Sequence, residues 1–356
     1  MAEDDAAPPV RVLVVSDPGQ PSRRVRTIRD LLEQSLHRDL AASVSVQVRT
    51  EVIRLRSDDS LDLAEVRRLG EERDRMDAIL LLTEIPRHHG GKMVVGEIFP
   101  GDNVAVISTP ALGPWAGRRR VVRLLASCVT HLVNPDRERV PDRNSLRWTR
   151  WAVEGAQHQV LYASSVFGGA RAVLGMVTAN DPLRTAPRMS SALAAASATG
   201  AFGIFYNSIW QMSNYLSLTR LLLIGFLAMS AMVFWLIASN GLWDRPQHGR
   251  LASVVLLYNL STVVTLFLCV FVLYAALLLL ILGGSLVIID PEFMTDILGT
   301  EATFVNYLDI AWLSAAMGVI AGGLGSSFDS RTDLRRLTHG QRERQRRLPE
   351  ADEEEL

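Results

Sequence analysis

Lysine is almost missing from this chain: Lys92 is the one lysine among 37 lysine and arginine residues. With abundant alanine, that bias points to a GC-rich coding sequence. The arginine excess is therefore weak support for phosphate or nucleic-acid binding, and no nucleic-acid partner is expected. Cysteine is nearly as scarce. Cys128 falls in a soluble stretch and Cys269 in an apolar run, so no disulfide and no metal-binding cysteine spacing is expected. Nucleotide fingerprints are lacking too. The loop after the first strand has only Gly19 where a dinucleotide motif needs three glycines, and the sole lysine follows Gly90 and Gly91 outside any P-loop spacing. No G-x-S-x-G occurs, and His131, three residues after Cys128, is no recognised catalytic pair. No cofactor is named by these residues. The opening "MAEDDAAPP" has no apolar signal core, so residues 1–9 read as disordered and the N-terminal half is expected in the cytosol.

Charge is missing from three long stretches. None interrupts residues 221–243, 251–289 or 310–328, runs of 23, 39 and 19 residues. A helix needs ~20 apolar residues to cross a ~30 Å hydrocarbon core. The chain is expected to be an integral membrane protein, with the lipid bilayer as its obligatory partner.

Before the apolar runs, the pattern is that of an α/β domain with a mixed sheet. "VRVLVVSD" reads as a buried strand, and Ser22 is placed as the cap of a helix over 23–40. Alternation predicts a strand over 43–53, followed by a helix over 61–76 and a buried strand over 77–86. "KMVVGEIF" and "NVAVIST" flank "PGD" as a hairpin, and a helix covers 118–133. Residues 10–133 are expected to fold alone, with 134–188 a linker and juxtamembrane helix. Within it, 146–180 reads as helix. Trp148 and Trp151 beside arginines suit a membrane interface, and packing on the α/β domain is the other reading.

Two candidate sites follow. Asp17, Gly19, Ser22, Arg23 and Arg24 lie where a strand ends and a helix begins, a place that favours a small anion. Glu84, His88 and His89 share one connection, with Glu97 as a further carboxylate, and have the donor types of a metal site.

Loop charge orients the chain. Residues 331–347 hold seven arginines against two acids, and 290–309 hold five acids and no base. Positive-inside bias places the tail in the cytosol with the N-terminus, which needs an even number of crossings. Four spans are expected, 189–211, 217–239, 252–282 and 308–325, with 328–356 a charged cytosolic tail. The first span is poor in large apolar residues. Its Ala192, Ala196 and Gly200 form a ridge of small residues, as do Gly318 and Gly322 on the last, and such ridges let helices approach closely in lipid.

The segments "GGARAVLGMVTANDPLRTAPRMSSALAAASATGAF", "SIWQ" and "VVLLYNLSTVVTL" resemble a family of multi-pass membrane proteins from GC-rich, actinobacterial-type bacteria, a family with no established activity. The expected place is the inner (cytoplasmic) membrane, with both termini in the cytosol. The expected function is a membrane-anchored binding or regulatory module whose α/β domain recognises a cytosolic protein partner or a small anion. A small transporter is the alternative, and an enzyme comes third for want of any catalytic set.

Overall fold

The computed structural model describes residues 9–53, 76–89, 92–134, 151–154, 158–163, 168–185, 190–245 and 252–325. All but Met76 of the helix expected over 61–76, all but Pro9 of the 1–9 segment, Trp148 and the 328–356 tail lie outside them. The chain divides into two compact units. The first is Met1–Ala179 with Pro246–Tyr258 and Arg342–Leu356; the second is Asn180–Arg245 with Asn259–Gln341.

The first unit is the expected α/β domain with a mixed sheet. Its strands are β1 (Val10–Ser16), β2 (Val44–Thr50), β3 (Ala78–Thr83), β4 (Arg87–His89), β5 (Lys92–Phe99), β6 (Val104–Ser108), β7 (Trp151–Glu154) and β8 (His158–Tyr162). They form one sheet in the order β2-β1-β3-β6-β5-β8-β7, with β4 on β5. The β2-β1-β3-β6 half is parallel and the rest antiparallel. Runs such as Leu80 to Leu82 are buried on both faces, as central parallel strands must be. The expected hairpin is present, with Glu97 opposite Val106 and Phe99 opposite Val104.

One face of the sheet is covered by helices α1 (Gln20–Leu40) and α3 (Arg118–Val133), with the short α2 (Thr109–Leu112) between β6 and α3 adding to the same core. Val25, Ile28, Leu32 and Leu36 recur at helical spacing on α1, and all are buried. Helix α1 starts earlier than expected, with Gly19 as its N-cap and Ser22 inside the first turn. Pro21 explains this, since proline's fixed φ and missing N–H suit a first turn. The Ser22 hydroxyl donates back to the Gly19 carbonyl at 3.1 Å.

The sheet does not stop at Val133. Residues 146–180, read as helix, instead supply β7, β8 and a helix, α4 (Gly168–Asn180). Strand β8 pairs antiparallel with β5, setting Glu97 against Val160 and Gly96 against Leu161. Trp151 packs against the α/β core, its ring 3.6 Å from where a Gly96 side chain would begin. Of the two readings of that tryptophan, the domain-packing one holds. Helix α4 is anchored on the same unit. Arg171 donates through Nε and Nη2 to the Ala111 carbonyl, at 3.1 and 2.7 Å. A Cβ on Gly175 would stand 2.2 Å from the Pro110 carbonyl oxygen, so only glycine permits this approach. A linker and juxtamembrane helix over 134–188 is thus corrected: most of its described residues complete the domain.

The second unit is helical. Among the described residues three helices are long and apolar enough to cross a membrane: α9 (Leu218–Asn240), α10 (Ala252–Ile288) and α12 (Phe304–Gly325). They account for the spans expected at 217–239, 252–282 and 308–325. Helix α10 is one unbroken helix of 37 residues, not two shorter spans. Large apolar side chains such as Phe226, Phe234, Phe271 and Leu279 point outward. Helices apolar all round belong in lipid. The short α11 (Pro291–Leu298) is capped by Asp290, whose Oδ1 accepts from the Glu292 and Phe293 amides.

The segment expected to cross at 189–211 is built in pieces: α6 (Ser190–Gly200), α7 (Phe202–Phe205) and α8 (Asn207–Tyr215) follow a short α5 (Pro182–Thr185). Tyr206 is extended between α7 and α8. The Trp210 indole donates to the Gly203 carbonyl at 2.9 Å and takes up hydrogen bonding that the break releases. The small-residue ridges do meet. A Cβ on Gly318 would lie 2.6 Å from the Ala196 carbonyl oxygen, and one on Gly322 2.6 Å from that of Ala192. Backbone thus packs on backbone between α6 and α12. Asn259 acts as an internal clamp, accepting from the Asp244 amide and donating to its carbonyl, both at 2.9 Å.

Candidate functional site

The carboxyl ends of β1, β3 and β6 gather a buried polar group: Ser16, Asp17, Thr83, Glu84, Ser108 and Thr109. Strand order reverses between β1 and β3, the place where open α/β sheets commonly form a crevice. Here the groups are engaged with the chain itself. Asp17 Oδ1 accepts from the Ile53 amide at 3.0 Å. Its Oδ2 accepts from Thr83 Oγ1 at 2.8 Å and from the Glu84 amide at 2.9 Å. Thr109 Oγ1 donates to the Thr83 carbonyl, and Ser108 Oγ to that of Ile85.

The five residues expected to bind an anion take different directions. Asp17 ties three loops together, and Ser22 bonds the backbone of Gly19. Gly19 has φ +105°, and a Glu84 carboxylate oxygen lies 3.9 Å from where its Cβ would stand. The protein's own carboxylate therefore sits beside the start of α1. Arg23 is exposed. Arg24 reaches away, donating through Nη2 to the Ala116 carbonyl at 3.4 Å. Burial holds its guanidinium below the usual arginine range.

The residues expected to hold a metal are also divided. Paired residues in a sheet share a face, and alternate residues along a strand do too. His88 stands opposite Met93 and faces the helix-covered core, while His89 stands opposite Lys92 on the other face. Glu84 belongs with the β1 loop. Among the described residues no three His, Cys, Asp or Glu side chains converge as metal ligands.

The antiparallel half assembles a different set on the face away from α1 and α3. Register places Arg87, His89, Lys92, Glu97, His158 and Tyr162 together there. Glu97, buried on β5, forms an ion pair through Oε2 with Arg87 Nε. His158 Nε2 lies 3.5 Å from Glu97 Oε1, out of line for a hydrogen bond. Phe99 stacks on the His158 ring at 4.6 Å, and His89 meets that ring edge-on at 5.9 Å. Lys92 Nζ stands 5.7 Å from the centre of the Tyr162 ring. Glu97 thus has Arg87 and His158 against its carboxylate, with His89 and Lys92 further along the same face. The sequence offered Glu97 and His89, but His158 and Tyr162 lay in a stretch read as helix. Alternation in "HQVLY" after Gly155 was the available signal.

Burial, with the Arg87 charge second, lowers the His88 pKa from its ordinary 6.5 to about 4. Above about pH 6.5 the imidazole is neutral whether the chain is folded or unfolded. As pH falls from there toward about 4, the unfolded chain takes up the proton first, so stability is lost across that window. A loss of roughly 2–3 kcal/mol is expected between about pH 7.5 and 4.5. His88→Phe should remove most of that slope. Pulse proteolysis in urea, on the detergent-solubilised chain at both pH values, measures it; an equal slope in both proteins would place the acid sensitivity elsewhere.

Both cysteines are free and buried, and burial pushes the Cys128 thiol up to about 12, which makes it a poor nucleophile. Fold and composition together define a membrane protein that carries an α/β domain. No protein-family model, curated protein or solved structure matches the chain.

Proposed function

We propose that the protein is a membrane-anchored binding or regulatory module of the inner (cytoplasmic) membrane, whose cytosolic α/β domain recognises a small anion. The observation that carries this is the cluster on the antiparallel face. Arg87 is held by Glu97, and His89 and Lys92 are exposed beside it. Among the described residues Glu97 is matched by Arg87, and Lys92 adds a further positive charge on the same face, suited to a carboxylate or phosphate group. The orientation rests on the seven arginines in residues 331–347. The crossing needed to bring both ends to one side falls to the α6–α8 segment.

Thermal unfolding of the full chain in detergent tests the reading, with inorganic phosphate, nucleotides and dicarboxylates as probes. An anion at ten times its Kd should raise the midpoint by about 3–6 °C. Combined His89→Ala and Lys92→Ala should abolish that rise. A wild-type chain that no anion shifts would overturn the anion reading.

A small transporter is the second reading. It is favoured by the break between α6 and α8, beside Ser314, whose buried hydroxyl has no hydrogen-bond partner among the described residues. Interrupted helices with spare polar groups are how transporters build sites within the bilayer.

A further inference from the structure

The helical unit holds a groove of about 710 Å³ between α9 and α10. Its walls are apolar, with Phe234 and Ile237 from α9 and Val263 and Phe267 from α10. Its character changes at one end. There the lining passes beyond the α9 C-terminus to Trp243 and Arg245. Both are exposed, and no ion pair joins Arg245 to another described residue. Asp244, between them, is buried and does not line the groove.

We propose that this groove binds one anionic phospholipid, its acyl chain lying between α9 and α10 and its phosphate paired with Arg245. Three observations converge on that occupant. Helices α9 and α10 are of membrane length, so the groove opens onto hydrocarbon. From Ser230 to Gly241 the lining follows about 16 Å of helix, close to one leaflet of a ~30 Å core. Aromatic and basic side chains then stand together at the end of a span, the level at which Trp anchors to headgroups and Arg pairs with phosphate. A soluble anion would use the arginine and leave the apolar walls without a partner. A zwitterionic lipid would fill the walls, but its own cation would offset the phosphate.

Native mass spectrometry of the full chain, released from a mild detergent, tests this with equimolar phosphatidylglycerol and phosphatidylcholine. Retention of one phosphatidylglycerol, preferred about five-fold over phosphatidylcholine, is expected. Arg245→Gln should remove the preference, and Arg245→Lys should keep most of it. Ala238→Phe, at an exposed wall position, should cut retention of both lipids. A monodisperse peak in size exclusion confirms that each variant is folded. Equal retention of the two lipids by the wild type would overturn the proposal. So would unchanged retention in both Arg245→Gln and Ala238→Phe, or displacement of the lipid by inorganic phosphate alone.

Discussion

A fragment ending at Val133 is expected to aggregate without cooperative unfolding, while one extended through Asn180 should unfold as a single unit. The cut at 133 removes β7, β8 and α4. It strips β5 of the partner that pairs with it from Val94 to Ile98. That leaves "KMVVGEIF", native-buried over most of its length, as an open edge ready to pair with another chain. The core also loses Val160, Leu161, Ala172, Val173 and Met176, each at most 4% exposed. At about 1.5–3 kcal/mol for a large buried side chain, the loss rivals the 5–15 kcal/mol of a typical domain. Urea titration by circular dichroism, with size exclusion alongside, distinguishes the two fragments. A cooperative transition in the shorter one would restore the boundary at 133.

Replacing Asp17 with alanine should be the most damaging single substitution in the α/β unit. Its carboxylate accepts from the Ile53 amide, Thr83 Oγ1 and the Glu84 amide, and its own exposure is 0%. Alanine leaves all three donors in a site that water reaches poorly. A buried donor without an acceptor costs about 1–3 kcal/mol, so a loss on the order of 3–6 kcal/mol is expected. Asp17→Asn should cost less, since its amide oxygen still accepts on one side while its NH₂ confronts donors on the other. Urea midpoints of the fragment through Asn180 give the comparison. A change within about 1 kcal/mol for Asp17→Ala would mean that those bonds are not structural.

Much of the fold could be read from periodicity. The valine and leucine runs of β1 and β3 and the apolar stripe of α1 gave their elements directly, and charge-free length gave α9, α10 and α12. The Ala192–Ala196 and Gly318–Gly322 spacings marked faces able to pack closely, and in the fold these two meet. Strands β7 and β8 were hidden because four- and five-residue runs are too short to show a period against neighbouring helix formers. The break at Tyr206 was hidden because nothing local marks it; a tertiary bond from Trp210 stabilises it. The site was half visible. Composition drew attention to Glu84, His88 and His89, but strand alternation sends adjacent histidines to opposite faces. His158 reaches Glu97 only through the β5–β8 register, a pairing of residues some sixty positions apart that no local pattern encodes.

Synthesis runs from the N-terminus, and the order of elements has a consequence for how the protein reaches its membrane. Tyr162 ends the last described strand of the sheet, and the first membrane-length helix among the described residues opens at Leu218, 56 positions later. At 5–20 residues per second the ribosome takes about 3–11 s to cover that interval. Mixed α/β domains fold in milliseconds to seconds, so the strands can pair and Asp17 can gather its three donors before α9 emerges. The insertion machinery then receives apolar helices from a chain whose first half is already compact.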